Sequence, residues 1–332
     1  MNIYLNILNV IMLIHIYRNL YIDIHINETH TLYLIRKNPT IYYFSSNHYE
    51  SYVPFNNDYG PVNIYNILDF CVNTKNRVTN PKLQNRKIVY YIYNNDNSYY
   101  MLNTLLLVSA FMIIHYNLKI KDVIFILHTH FNKCPTYFVD CVSQYGGYTT
   151  SLIDCIKVIY FMISNNVISL TSFDYNDFMY CLDFNNRDMT VIPKRIIAMV
   201  EPQSDKLLEI KEELLRRDVK HIIQLNDDIE YDKSVFTYEM KHYNMSFEDC
   251  STPSIDLVKK FIDVVFTTRD DKIAIHCKAG LGRTGLFVCI YLMLTFKIDT
   301  KQAIAMLRMY RSGSIMGFQG HYLEMLESLL IL

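Results

Sequence analysis

The 332-residue sequence has no tryptophan, and glycine and proline are scarce at 9 and 8. Tyrosine reaches 28, and asparagine, isoleucine and lysine are abundant, a skew that reads as coding bias and weakens ordinary propensity arguments. The few glycines therefore count for more where they gather, as they do at 280, 282 and 285. Charge of one sign is also missing: 32 Lys and Arg face 33 Asp and Glu, which implies no global attraction to nucleic acid or membrane. Eight cysteines, at 71, 134, 141, 155, 181, 250, 277 and 289, include no short-spaced pair that suggests zinc, and they read as thiols of a reducing compartment. His128 and His130 lie in a mixed apolar run without acid or cysteine partners, so they read as solvated or packed histidines; no metal and no cofactor is expected. Residues 1–26 are apolar but broken by Asn2, Asn6, Asn9, His15, Arg18, Asn19 and Asp23. That excludes a clean spanning helix of about 20 apolar residues or a signal peptide, and an extra strand or helix on a domain is expected there instead.

What is present is a globular chain, 51% apolar and long enough for two domains. Its organising stretch is Ile275-His276-Cys277-Lys278-Ala279-Gly280-Leu281-Gly282-Arg283-Thr284-Gly285. An apolar run from Lys272 to His276 predicts a strand, the glycine-bearing segment a loop, and the apolar run from Gly285 to Phe296 a helix. A loop whose glycines take positive φ can turn successive backbone N–H groups toward one anion, and the helix N-terminus adds to that field. A cysteine placed there favours the thiolate, which makes Cys277 a candidate nucleophile. Arg283 offers a permanently charged planar fork that matches two phosphate oxygens. Thr284 is placed to hydrogen-bond the sulfur, and His276 to orient the loop.

Along the chain, short strands are expected at Leu32–Ile35 and Ile41–Phe44, a helix ending near Thr74, and a strand from Lys87 to Tyr93. A polar loop at 94–98 then leads into a helix through Tyr116, with further helices near Ile120–Thr129 and Ser151–Ser164. The polar stretch 165–194, with Asp174, Asp177, Asp183 and Asp188, is the expected linker. Beyond it, a strand at Arg195–Val200, a charged helix from Asp205 to Arg217, a strand at His221–Leu225 and a short strand pair across Val235–Phe247 precede a helix at Ser254–Phe266. Helices near Thr300–Met309 and His321–Leu330 close the chain. Strands alternating with helices predict an α/β fold. The order strand, loop, helix, Leu118-Lys119-Ile120, helix returns as strand, loop, helix, Phe296-Lys297-Ile298, helix, which predicts two similar domains. The first copy has neither Cys nor Arg in its loop and is expected to shape a groove rather than to catalyse.

The segment HCKAGLGRTG at 276–285 resembles the cell-division-cycle-fourteen group of dual-specificity protein phosphatases. YYF at 42–44, DYGPVNI at 58–64, FDYNDF at 173–178, IIQLN at 222–226, STPS at 251–254 and YRSGSIMGFQ at 310–319 follow in that family's order, so the likeness covers about residues 30–330. It implies two tandem dual-specificity-phosphatase-like domains, each a central mixed sheet flanked by helices. The corresponding boundaries are an N-terminal extension at 1–26, an inactive domain at 27–164, a linker at 165–194 and a catalytic domain at 195–332. The long tail of many relatives has no counterpart up to Leu332.

Carried over residue by residue, the resemblance makes Cys277 the nucleophile of a metal-independent hydrolysis through a thiophosphoryl intermediate. Lys278, Ala279, Gly280, Leu281, Gly282 and Arg283 become the phosphate cradle. Asp249 matches the general acid, with Glu248 as its neighbour and alternative, and Gln319 matches the glutamine that positions water. The implied substrates are phosphoproteins of the cell cycle carrying phosphoserine or phosphothreonine before proline, with phosphotyrosine a further candidate. Asp174 and Asp177 are the candidates for an acidic substrate groove. An intracellular, nuclear or cytoplasmic setting is implied, without nucleic-acid or integral-membrane partners. The sequence departs from the family at Cys250, Ser312, Phe318 and Gly320. Two other readings stay open: a lipid phosphatase similar to the phosphatase-and-tensin group, whose loop also reads HCKAG but usually carries a lysine where Leu281 stands, and an inactive phosphoprotein-binding scaffold.

Overall fold

A computed structural model describes residues 13–25, 27–45, 52, 56, 58–93, 98–131, 136–140, 142, 147–170, 174–182 and 188–329. Expectations placed on 1–12, on the loop at 94–97, on Cys134, Cys141 and Phe173, and on 183–187 lie outside the described residues. The chain divides into two compact units, one of Met1–Tyr52 with Asn66–Thr136 and one of Val53–Tyr65 with Tyr137–Leu332. Among the described residues, no helix is long and apolar enough to cross a membrane.

The first unit's sheet has the order β1-β2-β4-β3, built from β1 (Ile14–Tyr17), β2 (Leu20–His25), β3 (Ile41–Phe44) and β4 (Lys87–Tyr93). β2 and β3 run parallel to β4 on either side of it, and β1 turns back antiparallel on β2. The sheet thus begins inside the segment 1–26 that the sequence sets apart as an extension: Leu20 and Ile22 are fully buried, and β2 pairs residue for residue with β4. Leu32–Ile35 is not a strand but part of helix α1 (Glu28–Lys37). Asn27 caps it by accepting from the His30 N–H, Glu28 and Arg36-Lys37 complement the helix dipole, and Thr31 and Leu34, three apart, form its buried face. Helix α2 (Ile64–Val78) follows β3, and β4 leads into α3 (Ser98–Tyr116), buried from Leu102 to Ile113, and then α4 (Ile120–Phe131).

The second unit opens with a two-stranded ribbon, β5 (Tyr137–Phe138) and β6 (Thr150–Ser151), and helices α5 (Leu152–Ser164) and α6 (Tyr175–Leu182). Its main sheet has the order β10-β9-β11-β8-β7. The strands are β7 (Met189–Ile192), β8 (Ile196–Met199), β9 (Val219–Gln224), β10 (Lys241–Asn244) and β11 (Lys272–His276), all parallel except the edge strand β7. The continuous apolar runs of β8 and β11 suit a parallel sheet covered on both faces. Around the sheet stand α7 (Leu207–Arg216), the short α8 (Ser234–Thr237), α9 (Ile255–Thr267), α10 (Gly282–Phe296), α11 (Thr300–Tyr310) and α12 (Gln319–Leu329). Val235–Phe247 gives one short helix and one strand, not a strand pair, because β10 joins β9 in parallel.

Two expected boundaries move. The segment 165–194 contains a helix and a sheet strand rather than a free linker, since β7 hydrogen-bonds along β8. Helix α5, expected in the first domain, belongs to the second unit, where Met162 packs buried beneath Tyr310 of α11 with its sulfur 4.0 Å from the phenol oxygen. The expected repetition is visible in each sheet taken alone. β4 and β11 both lie between two parallel neighbours, and each precedes a long buried helix.

Candidate active site

β11 delivers His276 to the C-terminal edge of the sheet, the loop 277–281 turns there, and α10 starts at Gly282. Loops at the carboxyl ends of parallel strands, feeding a helix N-terminus, are where α/β folds gather anionic ligands. The backbone of this loop is arranged for that purpose. Lys278 O accepts from the Glu201 N–H at 3.0 Å, Gly280 O from Arg311 Nε at 2.7 Å, and Leu281 O from the Gly285 N–H at 3.0 Å. With the carbonyls tied outward, the N–H groups of Lys278 to Arg283 have no protein acceptor among the described residues and are free to surround an anion. Gly280 takes φ +68°, and a Cβ there would fall 2.3 Å from Met199 O at the end of β8.

Cys277 is buried at the mouth of this loop. Elsewhere Cys71, Cys155 and Cys289 are wholly enclosed, and burial pushes each of these three thiols up, away from ionisation. Arg283 enters from the first turn of α10, and its Nη1 donates to Phe247 O at 3.0 Å. Its Nε lies 3.2 Å from Asp249 Oδ1, an ion-pair distance without an aligned N–H. The structure thus brings Asp249, its side chain 72% exposed on the loop after β10, to the arginine of the cradle. Thr284 Oγ1 is buried and has no hydrogen-bond partner among the described residues. The Gln319 side chain is buried against Gly282, where an added Cβ would lie 3.2 Å from its Nε2, and its Oε1 accepts from the Met316 N–H.

His276 is buried and neutral, its pKa lowered to about 3 by desolvation. Its Nδ1–H faces Cys277 O at 3.3 Å, which leaves Nε2 to accept from the Tyr231 hydroxyl at 2.9 Å. Tyr231 in turn accepts from His242 Nε2 at 3.0 Å, and burial lowers the His242 pKa to about 4. A chain of neutral donors therefore runs from β10 to the carbonyl beside the sulfur. Lys278, whose N–H is among those of the loop, sends its side chain to two carboxylates. Its ammonium is 2.8 Å from Glu201 Oε2 and 2.6 Å from Glu230 Oε1, which hold it charged but spend that charge on carboxylates.

Asp174 and Asp177 are not brought to this loop. Asp174 accepts from the Asp177 N–H at the start of α6, and Asp177 pairs with Arg217 and Arg216, whose hydrogen bonds lower its pKa. Both line a cavity of about 650 Å³ with Phe161, Lys194, Phe296 and Tyr310, to which no residue of 276–285 contributes. Their spacing reads as a groove in sequence because the two arginines that occupy Asp177 lie far along the chain. Conversely, Tyr231, Glu201, Glu230 and Arg311 touch the site or its supports without any local signal, except that Arg311 falls inside the YRSGSIMGFQ stretch.

A model described as dual specificity protein phosphatase, N-terminal half, matches residues 13–161, and one described as dual specificity phosphatase, catalytic domain, matches 203–328. The chain is 28% identical over 295 residues to the dual specificity protein phosphatase CDC14AB of Danio rerio, covering 85% of this chain and 48% of that one. It is 27% identical over 296 residues to CDC14A of Homo sapiens, covering 85% and 49%. This chain belongs to the CDC14-type dual-specificity protein phosphatases. It spans about half the length of those relatives. Among solved structures, Tk-PTP in its active form matches 43% of this chain and 97% of its own, at 20% identity and a TM-score of 0.39.

Within that family, one departure has a direct physical reason. At Gly320, where the family resemblance implies a second glutamine, a Cβ would meet the Tyr148 ring at 2.3 Å. Tyr148, its N–H on Asp140 and its hydroxyl on Glu324, takes that space. Cys250 sits at φ +55°, the conformation for which glycine is suited, and is exposed. Phe318 is 70% exposed beside Gln319. Nothing in the structure explains Ser312.

Proposed function

We propose that this chain hydrolyses phosphate monoesters on proteins by cysteine nucleophilic catalysis, with phosphoserine and phosphothreonine before proline as the preferred sites. The observation that carries the reading is the meeting of Cys277, the N–H groups of its loop that have no acceptor among the described residues, and Arg283, with Asp249 brought beside that arginine from the loop after β10. In the first half-reaction the Cys277 thiolate attacks phosphorus and forms an S–P bond while the ester P–O bond breaks. Asp249 gives its proton to the departing oxygen. In the second, water attacks phosphorus, Asp249 takes a proton from it, and the S–P bond breaks to release phosphate and the thiolate. The loop N–H groups and the Arg283 fork hold the equatorial oxygens, where charge stabilisation does most of the work of phosphoryl transfer. Gln319, packed on Gly282, is placed to orient the hydrolytic water, and Thr284, its hydroxyl without another partner, to donate to the sulfur. Preference for proline after the phosphorylated residue rests on the family resemblance, and a free thiol nucleophile suits a reducing interior.

The inositol-phosphate reading asks for surplus cation at the loop. Lys278 supplies none, being held between Glu201 and Glu230, and position 281 is leucine. The scaffold reading leaves the nucleophile and the acid without a role.

The test is phosphate release from phosphopeptides with and without proline after the phosphoserine, beside an inositol phosphate. Release is expected from the proline-containing peptides, and Cys277→Ser should abolish turnover while retaining substrate binding. Undiminished Cys277→Ser activity sinks the mechanism, and equal rates with and without proline sink the preference. Asp249→Asn should slow alkyl phosphates by about 10²–10⁴ and aryl phosphates less, since phenoxide leaves with less help. Equal losses on both would transfer the acid role to Glu248.

A further inference from the structure

Arg311, at the C-terminal end of α11, is buried, and its guanidinium is divided between two tasks. On one side Nε donates to Gly280 O at 2.7 Å and Nη2 to Ala279 O at 3.4 Å. On the other, Nη1 donates to Asp188 Oδ1 at 2.9 Å and to Thr190 Oγ1 at 3.1 Å, on and just before β7. The planar fork is therefore fixed by β7 and grips the two loop carbonyls at the turn. Gly280 is clamped between this guanidinium and Met199 O: a Cβ at 280 would lie 2.8 Å from Arg311 Nη2 and 2.3 Å from that carbonyl.

A peptide plane is rigid, so fixing a carbonyl fixes the N–H of the next residue in the opposite sense. Holding Ala279 O and Gly280 O outward fixes the N–H groups of Gly280 and Leu281 inward. We infer that Arg311, anchored by Asp188, is a positioning residue that sets the phosphate cradle by orienting the 279–280 and 280–281 peptides. This rests on the phosphatase reading of the same loop. Without the fork, those two peptides are free to rotate, and the cradle loses two aligned dipoles that favour both the bound phosphate and the thiolate of Cys277.

The experiment uses the full chain and measures iodoacetamide alkylation of the Cys277-containing peptide by mass spectrometry, across pH and with inorganic phosphate titrated in. In the wild type, phosphate protects Cys277. In Arg311→Ala the pH midpoint of alkylation rises by about one unit and the phosphate needed for protection rises about tenfold. Asp188→Asn, which keeps the arginine and loosens its anchor, moves both in the same direction by less; it carries the test if Arg311→Ala does not fold. Folded variants with the wild-type midpoint and wild-type protection overturn the inference, while the phosphatase reading stands. A wild type that phosphate does not protect overturns that reading instead, and the inference with it.

Discussion

At the residue scale, three glycines around the site differ in what surrounds them, and that difference sets their tolerance. Gly282 faces the methyl end of Met316 at 2.9 Å, a flexible neighbour that can move, whereas Gly280 faces backbone and Gly320 faces an anchored tyrosine ring. Gly280→Ala is expected to lose about 1–3 kcal/mol of stability and most of the turnover. Gly320→Gln introduces the residue that the family resemblance implies, yet is expected to destabilise by about 1–3 kcal/mol through overpacking against Tyr148. Tyr148→Ala combined with Gly320→Gln should recover part of that loss in thermal melting. A Gly320→Gln variant that melts like the wild type would show that Tyr148 is not the obstacle. The candidate nucleophile, cradle and arginine stand out in the sequence because they are contiguous and their types suit one chemistry. The partners of the Lys278 side chain were not legible, since nothing beside it announces Glu201 and Glu230, which the fold determines.

At the element scale, strands β4 and β11 were legible as unbroken apolar runs. Leu32–Ile35 was not, because its apolar residues mask a helical spacing revealed only by the Asn27 cap. Asp174 and Asp177 likewise turned out to start α6 and tie it to α7 through Arg216 and Arg217. The chain from β10 through Tyr231 to β11 has a consequence for pH. His276 stays neutral when folded down to about 3 but titrates near 6.5 when unfolded, so between those values the unfolded chain binds the extra proton. Stability is therefore unaffected above pH 6.5 and falls as the pH drops toward 3, with His276 alone accounting for about 2 kcal/mol at pH 5. His242, lowered to about 4, adds a loss of the same sign. Unfolding free energies from hydrogen exchange of the β11 amides at pH 7 and pH 5 should show this fall, and His242→Gln should reduce it. Equal values at the two pH settings would contradict a neutral chain.

At the scale of the whole molecule, the α/β class and the repeated architecture were readable from the alternation of elements and the echoed Leu118-Lys119-Ile120 and Phe296-Lys297-Ile298 segments. The boundaries were not, since they depend on pairings between distant segments. Arg308 of α11 donates to Tyr148 O and Thr150 Oγ1 and to Ser314 O and Ile315 O, and Asp140 accepts from the Gly317 N–H. The loop that carries Gln319 is thus held by residues before 195. A fragment of 195–332 should accordingly show no cooperative near-ultraviolet melt, having stranded the buried arginines at 308 and 311 without Tyr148, Thr150, Asp188 and Thr190. A cooperative melt with full-length phosphate affinity would refute this. The outward hold on the loop carbonyls also orders events during synthesis. Cys277 and Arg283 emerge from the ribosome ahead of Arg311 and Gln319, so a nascent chain presents its reactive groups for a time before the parts that aim the peptide dipoles. Under the proposed mechanism, a chain interrupted before α11 therefore has the reactive groups but not the cradle.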